Sequence, residues 1–204
     1  MSNLEIETNL WAKKIKNICG IDEVGRGCLA GPVYASAVVM EEAQIIEGLK
    51  DSKLLTKKKR EELFKLIIEN SFEYSVASLD NKKIDDLNIL NASLEAMENS
   101  IAMLKSNFIK GYIDGPHVPK KLLGQKIKYE PIIGGDKLFP CISAASIIAK
   151  VTRDKYMNEI DKLYPKYGFK NNKGYPTKEH IYAIHKLGPT PHHRLTFKPG
   201  LYEK

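Results

Sequence analysis

Ile18-Cys19-Gly20-Ile21-Asp22-Glu23-Val24-Gly25-Arg26-Gly27-Cys28-Leu29-Ala30-Gly31-Pro32, continued by the small and β-branched run Val33 to Met40, is the stretch whose reading decides the fold. A short apolar segment ends in two adjacent carboxylates, passes through a turn with glycines at 25, 27 and 31, and returns as a second strand. This is the pattern of a hairpin. Successive side chains of a strand point to opposite faces, so Asp22 and Glu23 can serve one site only if the strand bends or ends at Glu23, a freedom that Gly25 supplies. Two acids in a turn are by themselves more often a solvated surface feature, and the rest of the chain has to decide between the two readings.

Downstream, Gly48 to Lys53 is a polar loop, and Thr56 is placed to cap a helix through Asn70 with Leu63, Phe64, Ile67 and Ile68 on one face. The alternation Phe72, Tyr74, Val76, Ser78 predicts a half-buried third strand. The three-four spacing of Leu87, Leu90, Leu94, Met97, Ile101 and Leu104 predicts one long helix from about Ile84 to Leu104. It is too short for a coiled-coil seam and is expected to pack on a sheet. Two further strands are then expected, Gly111–Asp114 stopped by Gly115-Pro116, and Ile127–Ile133 leading to Gly134-Gly135-Asp136. Asp114 before Gly-Pro is also an ordinary turn opener. Three strands ending in acids nevertheless suggest one carboxylate cluster at one edge of a sheet.

Ser143 to about Ile160 reads as a helix with small first turns, suited to close backbone packing, and with Lys150 and Arg153 on one face. Aromatic and basic residues interleave in the loop Tyr164 to Pro176, which can stack on sugars or bases or simply anchor itself on the core. Thr177 caps a last helix to about Leu187, and His192-His193-Arg194 follows. No third and fourth ligand stands at zinc spacing, so a surface or phosphate-facing role is expected for that triplet.

Composition narrows the class. At 204 residues, 43% hydrophobic and 28% charged, the chain has the size and balance of one well-buried globular domain, without an apolar run long enough for a bilayer. The acids Glu5 and Glu7, with no apolar signal core, argue against secretion. Three cysteines without paired spacing argue against a disulfide framework or zinc site, and a reducing cytoplasm fits best. The net charge of +7 is uneven: residues 137–204 hold thirteen Lys or Arg against five Asp or Glu, leaving residues 1–136 at −1. A basic third on a near-neutral body suggests a polyanionic partner, although lysine excess alone also serves solubility. Clustered carboxylates repel one another unless protonated or bridged, and hard oxygen ligands select Mg²⁺ or Mn²⁺. An acidic site reached across a basic surface suits phosphodiester hydrolysis, with the Ser52-Lys53 loop and the Lys150/Arg153 face as phosphate-holding candidates.

Taken in order, Asp22-Glu23-Val24-Gly25-Arg26-Gly27, Ala30-Gly31-Pro32, Asp51-Ser52-Lys53, Ile113-Asp114-Gly115, Gly135-Asp136, the run Ser143 to Asp154, Gly174-Tyr175-Pro176-Thr177 and His192-His193-Arg194 together resemble ribonuclease HII, over nearly all of residues 18–197. The resemblance implies an α/β fold, an RNase H-like mixed five-stranded sheet flanked by helices, with a helical C-terminal extension. The expected organisation is an N-terminal segment 1–17, a catalytic domain 18–160 and a basic extension 161–204 packed on it. It implies a catalytic, metal-binding quartet of Asp22, Glu23, Asp114 and Asp136 with Mg²⁺ or Mn²⁺. It implies substrate contacts from Gly25, Arg26 and Gly27 to a ribonucleotide 2′-hydroxyl and from Tyr175 to the next deoxyribose. Ser52, Lys53, Ser143, Lys150 and Arg153 complete the expected substrate-binding set. The implied activity is metal-assisted endonucleolytic hydrolysis of RNA in RNA/DNA hybrids and 5′ of single ribonucleotides in duplex DNA, by a cytoplasmic monomer that uses no membrane. One departure is Gly134, where the family commonly has lysine. No room for the extra N-terminal domain of ribonuclease HIII and no C-terminal sliding-clamp box are evident. A resolvase or transposase core would share the acids but not the Gly-Arg-Gly and Gly-Tyr-Pro pieces; a noncatalytic binder has no use for the acids, and a carboxylate-pair glycosidase none for the basic surface.

Overall fold

The computed structural model describes residues 17–40, 46, 48–49 and 55–197. Strands β1 (Ile18–Val24) and β2 (Val33–Met40) form the expected antiparallel hairpin, with Asp22 opposite Ser36 and Glu23 opposite Ala35. β3 (Glu73–Leu79) extends it on one side, while β4 (Lys110–Asp114) and β5 (Lys128–Ile132) extend it on the other, both parallel to β1. The sheet order is β3-β2-β1-β4-β5, so β1 is its centre.

Strand alternation assigns the two faces. Ile18, Val38, Met40 and Tyr112 pack under helices α1 (Lys57–Asn70) and α5 (Pro140–Leu163). Cys19, Ile21, Ala35, Ala37, Val39 and Ile113 pack under α2 (Asn81–Leu87) and α3 (Ile89–Ala102). Both cores are mainly aliphatic, and burial of such apolar surface is the dominant source of stability in a layered domain. α5 approaches the sheet closely because Gly20 has no side chain: a Cβ there would lie 2.1 Å from the carbonyl carbon of Cys141. The short helix α4 (Gly135–Leu138) precedes α5, and α6 (Phe169–Asn172) and α7 (Lys178–Leu187) follow it. Among the described residues, no helix is long and apolar enough to cross a membrane.

Several expectations are corrected. The helix expected over 84–104 is two helices, broken at Asn88, whose backbone takes φ +65° while its side chain accepts from Asn91 N–H as the cap of α3. Hydrophobic spacing runs through a break that a polar cap imposes locally. In β3 the side chains that turn inward are Ser75 and Leu79, whereas Phe72 and Tyr74 are exposed, because an edge strand has cover on only part of its surface. β1 does not end at Glu23 but pairs with β2 through Val24. Asp136 follows β5 within α4, two residues past the left-handed Gly134. α5 is longer at both ends than expected, with Pro140 in its first turn, and it crosses the boundary expected at residue 160.

Candidate active site

The parallel pairing of β1 and β4 runs from Ile18 opposite Lys110 to Ile21 opposite Ile113, so Asp22 and Asp114 are the next residues on neighbouring strands. By alternation both project toward α5. There they line a cleft of about 200 Å³ with Glu23, Ser146, Lys150, Tyr175 and, from α1, Arg60. Glu23 belongs to the opposite strand face, yet it reaches the same cleft because β4 no longer pairs with β1 beyond Ile21. Asp22 and Glu23 thus share the cleft at an open strand edge, without the strand ending at Glu23. The wider cavity of about 530 Å³ at the end of α3 has Glu98 as the one acid in its lining, and that acid is ion-paired with Lys121.

The electrostatics of the cleft are unbalanced toward negative charge. Burial, then the neighbouring Glu23 and Asp114 carboxylates, hold Asp22 well above the ordinary carboxylate range, against a lowering hydrogen bond from Ser146. Glu23 is also raised, by burial first and by Asp114, while Arg26, 3.1 Å away, pulls the other way. Glu23 Oε2 is buried and has no hydrogen-bond partner. Asp114 Oδ1 accepts from Gly135 N–H at 2.7 Å, which brings the start of α4 and the buried Asp136 beside β4. A partnerless carboxylate oxygen beside like charges, in an all-oxygen donor set, fits a hard divalent cation. Among the described residues no three Asp, Glu, His or Cys side chains are already closed around one point, so the fit rests on donor chemistry and charge and not on a finished cage.

The other expected site residues divide. Gly25 has φ +97°, and a Cβ at Gly27 would lie 3.9 Å from the Tyr175 ring, so the glycine turn and Tyr175 face each other. Arg26 is half-exposed beside Glu23. Lys150 is ion-paired with Asp154 at 2.8 Å and lies 5.9 Å from the Tyr175 ring centroid. Arg153 does not face the cleft: fully buried, it donates to the carbonyl oxygens of Ala30, Pro32 and Lys173. Ser143 is buried in α5 and is not among the cleft-lining side chains. Ser52 and Lys53 lie outside the described residues. In the loop after α5, Tyr167 and Phe169 stack at 5.6 Å as core anchors, and Tyr175 is the aromatic that reaches the cleft.

The surface or phosphate-facing role expected for His192-His193-Arg194 does not hold for its last two residues. His193 and Arg194 are buried, and Arg194 donates to the carbonyls of Gly25, Arg26 and Gly31. Arg60 and Ser146 line the cleft without having been singled out. Ser146 could have been found from its place one helical turn before Lys150, whereas Arg60, among Lys57, Lys58 and Lys59, carries no distinguishing local signal.

Burial, with a smaller contribution from His180, pushes His193 down to about 4. Its free value is near 6.5, so below that pH the unfolded chain takes up a proton that the folded chain refuses until about pH 4. The resulting stability is present above about pH 6.5 and is lost as pH falls toward 4. The expected slope is up to about 1.4 kcal/mol per pH unit for one proton. Melting temperatures across this window check it: the acid-side decline should be shallower in His193→Phe, and equal slopes in the two proteins would refute the assignment.

The family model for Ribonuclease HII matches residues 19–199. A ribonuclease HII of Caldicellulosiruptor bescii is 50% identical over 193 residues, covering 95% of this chain and 92% of that one. The crystal structure of ribonuclease H2 from Pyrococcus horikoshii OT3 superposes with a TM-score of 0.78 at 28% identity, covering 91% of this chain and 97% of that one. A ribonuclease HII of Archaeoglobus fulgidus, solved in complex with PCNA, superposes with a TM-score of 0.74 at 25% identity, covering 89% and 95%.

Proposed function

The chain belongs to the ribonuclease HII family, and from that premise we propose that Asp22, Glu23, Asp114 and Asp136 hold Mg²⁺ or Mn²⁺ at the cleft while Gly25–Gly27 and Tyr175 read the junction between a ribonucleotide and the next deoxyribonucleotide. The family activity is that of a divalent-metal-dependent endoribonuclease, which cleaves RNA in RNA/DNA hybrids and at ribonucleotides embedded in DNA. The observation that carries the residue assignment is the meeting of Asp22, Glu23 and Asp114 in one cleft with Tyr175 and Lys150.

When bound, the cation would lower the pKa of a water and offset charge on the phosphoryl group. The chain's own residues do the rest. The glycine turn lets main-chain groups approach a sugar, and the 2′-hydroxyl, both donor and acceptor, is what separates RNA from DNA. The Tyr175 ring leaves room for a deoxyribose and crowds a ribose hydroxyl. Lys150 and Arg60, both on the cleft, supply positive charge for the phosphates. Hydrolysis on the 5′ side of the ribonucleotide adds water oxygen to phosphorus and breaks the bond to the upstream 3′-oxygen, which takes the proton. The products are a 3′-hydroxyl and a 5′-phosphate. We read residues 161–204 as a basic extension of the catalytic domain, and the protein as a cytoplasmic monomer, a setting that suits the buried Cys19, Cys28 and Cys141, none of them in a disulfide.

The test compares a single ribonucleotide in duplex DNA with a long RNA/DNA hybrid. Tyr175→Ala is expected to lose about tenfold or more on the first and distinctly less on the second, in line with the roughly 1–3 kcal/mol attributed to one stacking aromatic. Equal losses on both substrates, accompanied by a lower melting temperature, would mean that Tyr175 only braces its loop.

A further inference from the structure

Two buried histidines lie behind Tyr175, and their hydrogen bonds admit one arrangement of protons. His180 Nδ1 is 2.9 Å from the carbonyl oxygen of Tyr175, which can only accept, so Nδ1 carries the hydrogen. Neutral His180 then has a bare Nε2. His193 Nε2 is 3.1 Å from that atom and must be its donor. Neutral His193 is left with a bare Nδ1, and Thr190 N–H donates to it at 2.8 Å. The chain runs in one direction, from Thr190 through His193 and His180 to the main chain of Tyr175. Adding a proton to either ring would set donor against donor. Both rings are buried, and burial pushes both below the ordinary imidazole range, which keeps them neutral.

The segment that carries His193 also grips the glycine turn. Gly31 N–H donates to His192 O, Arg194 N–H donates to Leu29 O, and the Arg194 guanidinium reaches the carbonyls of Gly25 and Arg26. Three consecutive residues therefore hold the glycine turn directly and, through the bond from His193 to His180, reach the main chain of Tyr175, which faces that turn across Gly27. The distinction to be made there is one hydroxyl group on a sugar, and discrimination of that size is lost when the reading groups shift by about 1 Å.

We propose that His180 and His193 are positioning residues for substrate choice: their proton-ordered chain fixes the main chain of Tyr175 relative to the Gly25–Gly27 turn, and so sets the preference for an isolated ribonucleotide over a continuous hybrid. The proposal rests on the reading of Tyr175 given above. Neither histidine touches substrate; each acts through Tyr175.

The ratio of kcat/KM on a single embedded ribonucleotide to that on a long hybrid is the deciding measurement, with Tyr175→Ala run alongside. His180→Phe keeps an aromatic ring but deletes the donor, and it should lower the ratio about fivefold to tenfold, the range for one buried hydrogen bond. His180→Asn places an amide N–H near the former Nδ1 and should restore the ratio to within about twofold even where stability is not restored. If His180→Phe lowers both rates together and leaves the ratio unmoved while Tyr175→Ala lowers it, the histidines are only structural and this inference fails alone. If Tyr175→Ala leaves the ratio unmoved, the reading of Tyr175 fails and this inference falls with it. Imidazole ¹⁵N shifts of the unsubstituted protein provide a test that does not depend on any variant folding: the hydrogen is expected on Nδ1 of His180 and Nε2 of His193, and the opposite tautomers would overturn the proposal.

Discussion

Asp114→Asn is expected to reduce turnover on a ribonucleotide-containing duplex at least about a hundredfold at saturating Mg²⁺ while leaving the fold intact, as for loss of one charged ligand at a metal-assisted site. The two parts of that expectation have separate causes. Asn keeps an Oδ1 that can accept from Gly135 N–H, so the link between β4 and α4 survives. What disappears is a negative charge that raises Asp22 and Glu23. Without metal, the variant should therefore melt at or above the temperature of the parent, because like charges beside buried carboxylates cost folding energy and their removal returns it. A site built for cation binding trades stability for function in this direction. Parent-like cleavage by Asp114→Asn would remove Asp114 from the metal set, and a large fall in melting temperature in EDTA would assign it a structural role instead.

Gly20→Ala is expected to have the largest effect on stability. The added Cβ would meet Cys141 C, Cys141 O and Ile142 N at 2.1, 2.3 and 2.4 Å, all main-chain atoms of the helix that carries Ser146 and Lys150. A side chain could swing aside; this backbone is held on both sides by the aliphatic core. Overpacking of that kind costs about 3 kcal/mol or more. For a chain of this size that corresponds to a drop in melting temperature of roughly 6–12 °C. Gly27→Ala is the matched control, since its nearest contact, 3.9 Å to Tyr175, is ordinary, and its stability should stay within about 0.5 kcal/mol of the parent. If the two variants melted alike, the close approach of α5 to β1 would not be a constraint.

Local signals in the sequence determined much of this protein. The hairpin, the Thr56 and Thr177 caps, the strand that ends at Asp114 and the small residues of α5 are all short-range features, because period, capping and turn chemistry act within a few residues. They sufficed for the sheet and for most of its helices, and of the acids expected at strand ends they placed Asp114 there. The tertiary structure alone decided where distant charges go. Arg153 shares a helix face with Lys150, yet its guanidinium is taken up by three main-chain carbonyls, and Arg194 looked like a surface residue until four hydrogen bonds buried it. A basic residue reads the same in sequence whether it faces phosphate or an orphaned carbonyl, and the difference lies in which loop, more than a hundred residues away, comes to rest beside it. The histidine pair makes the same point: each ring's proton is placed by its neighbour and by Tyr175 O, partners that spacing along the chain does not reveal.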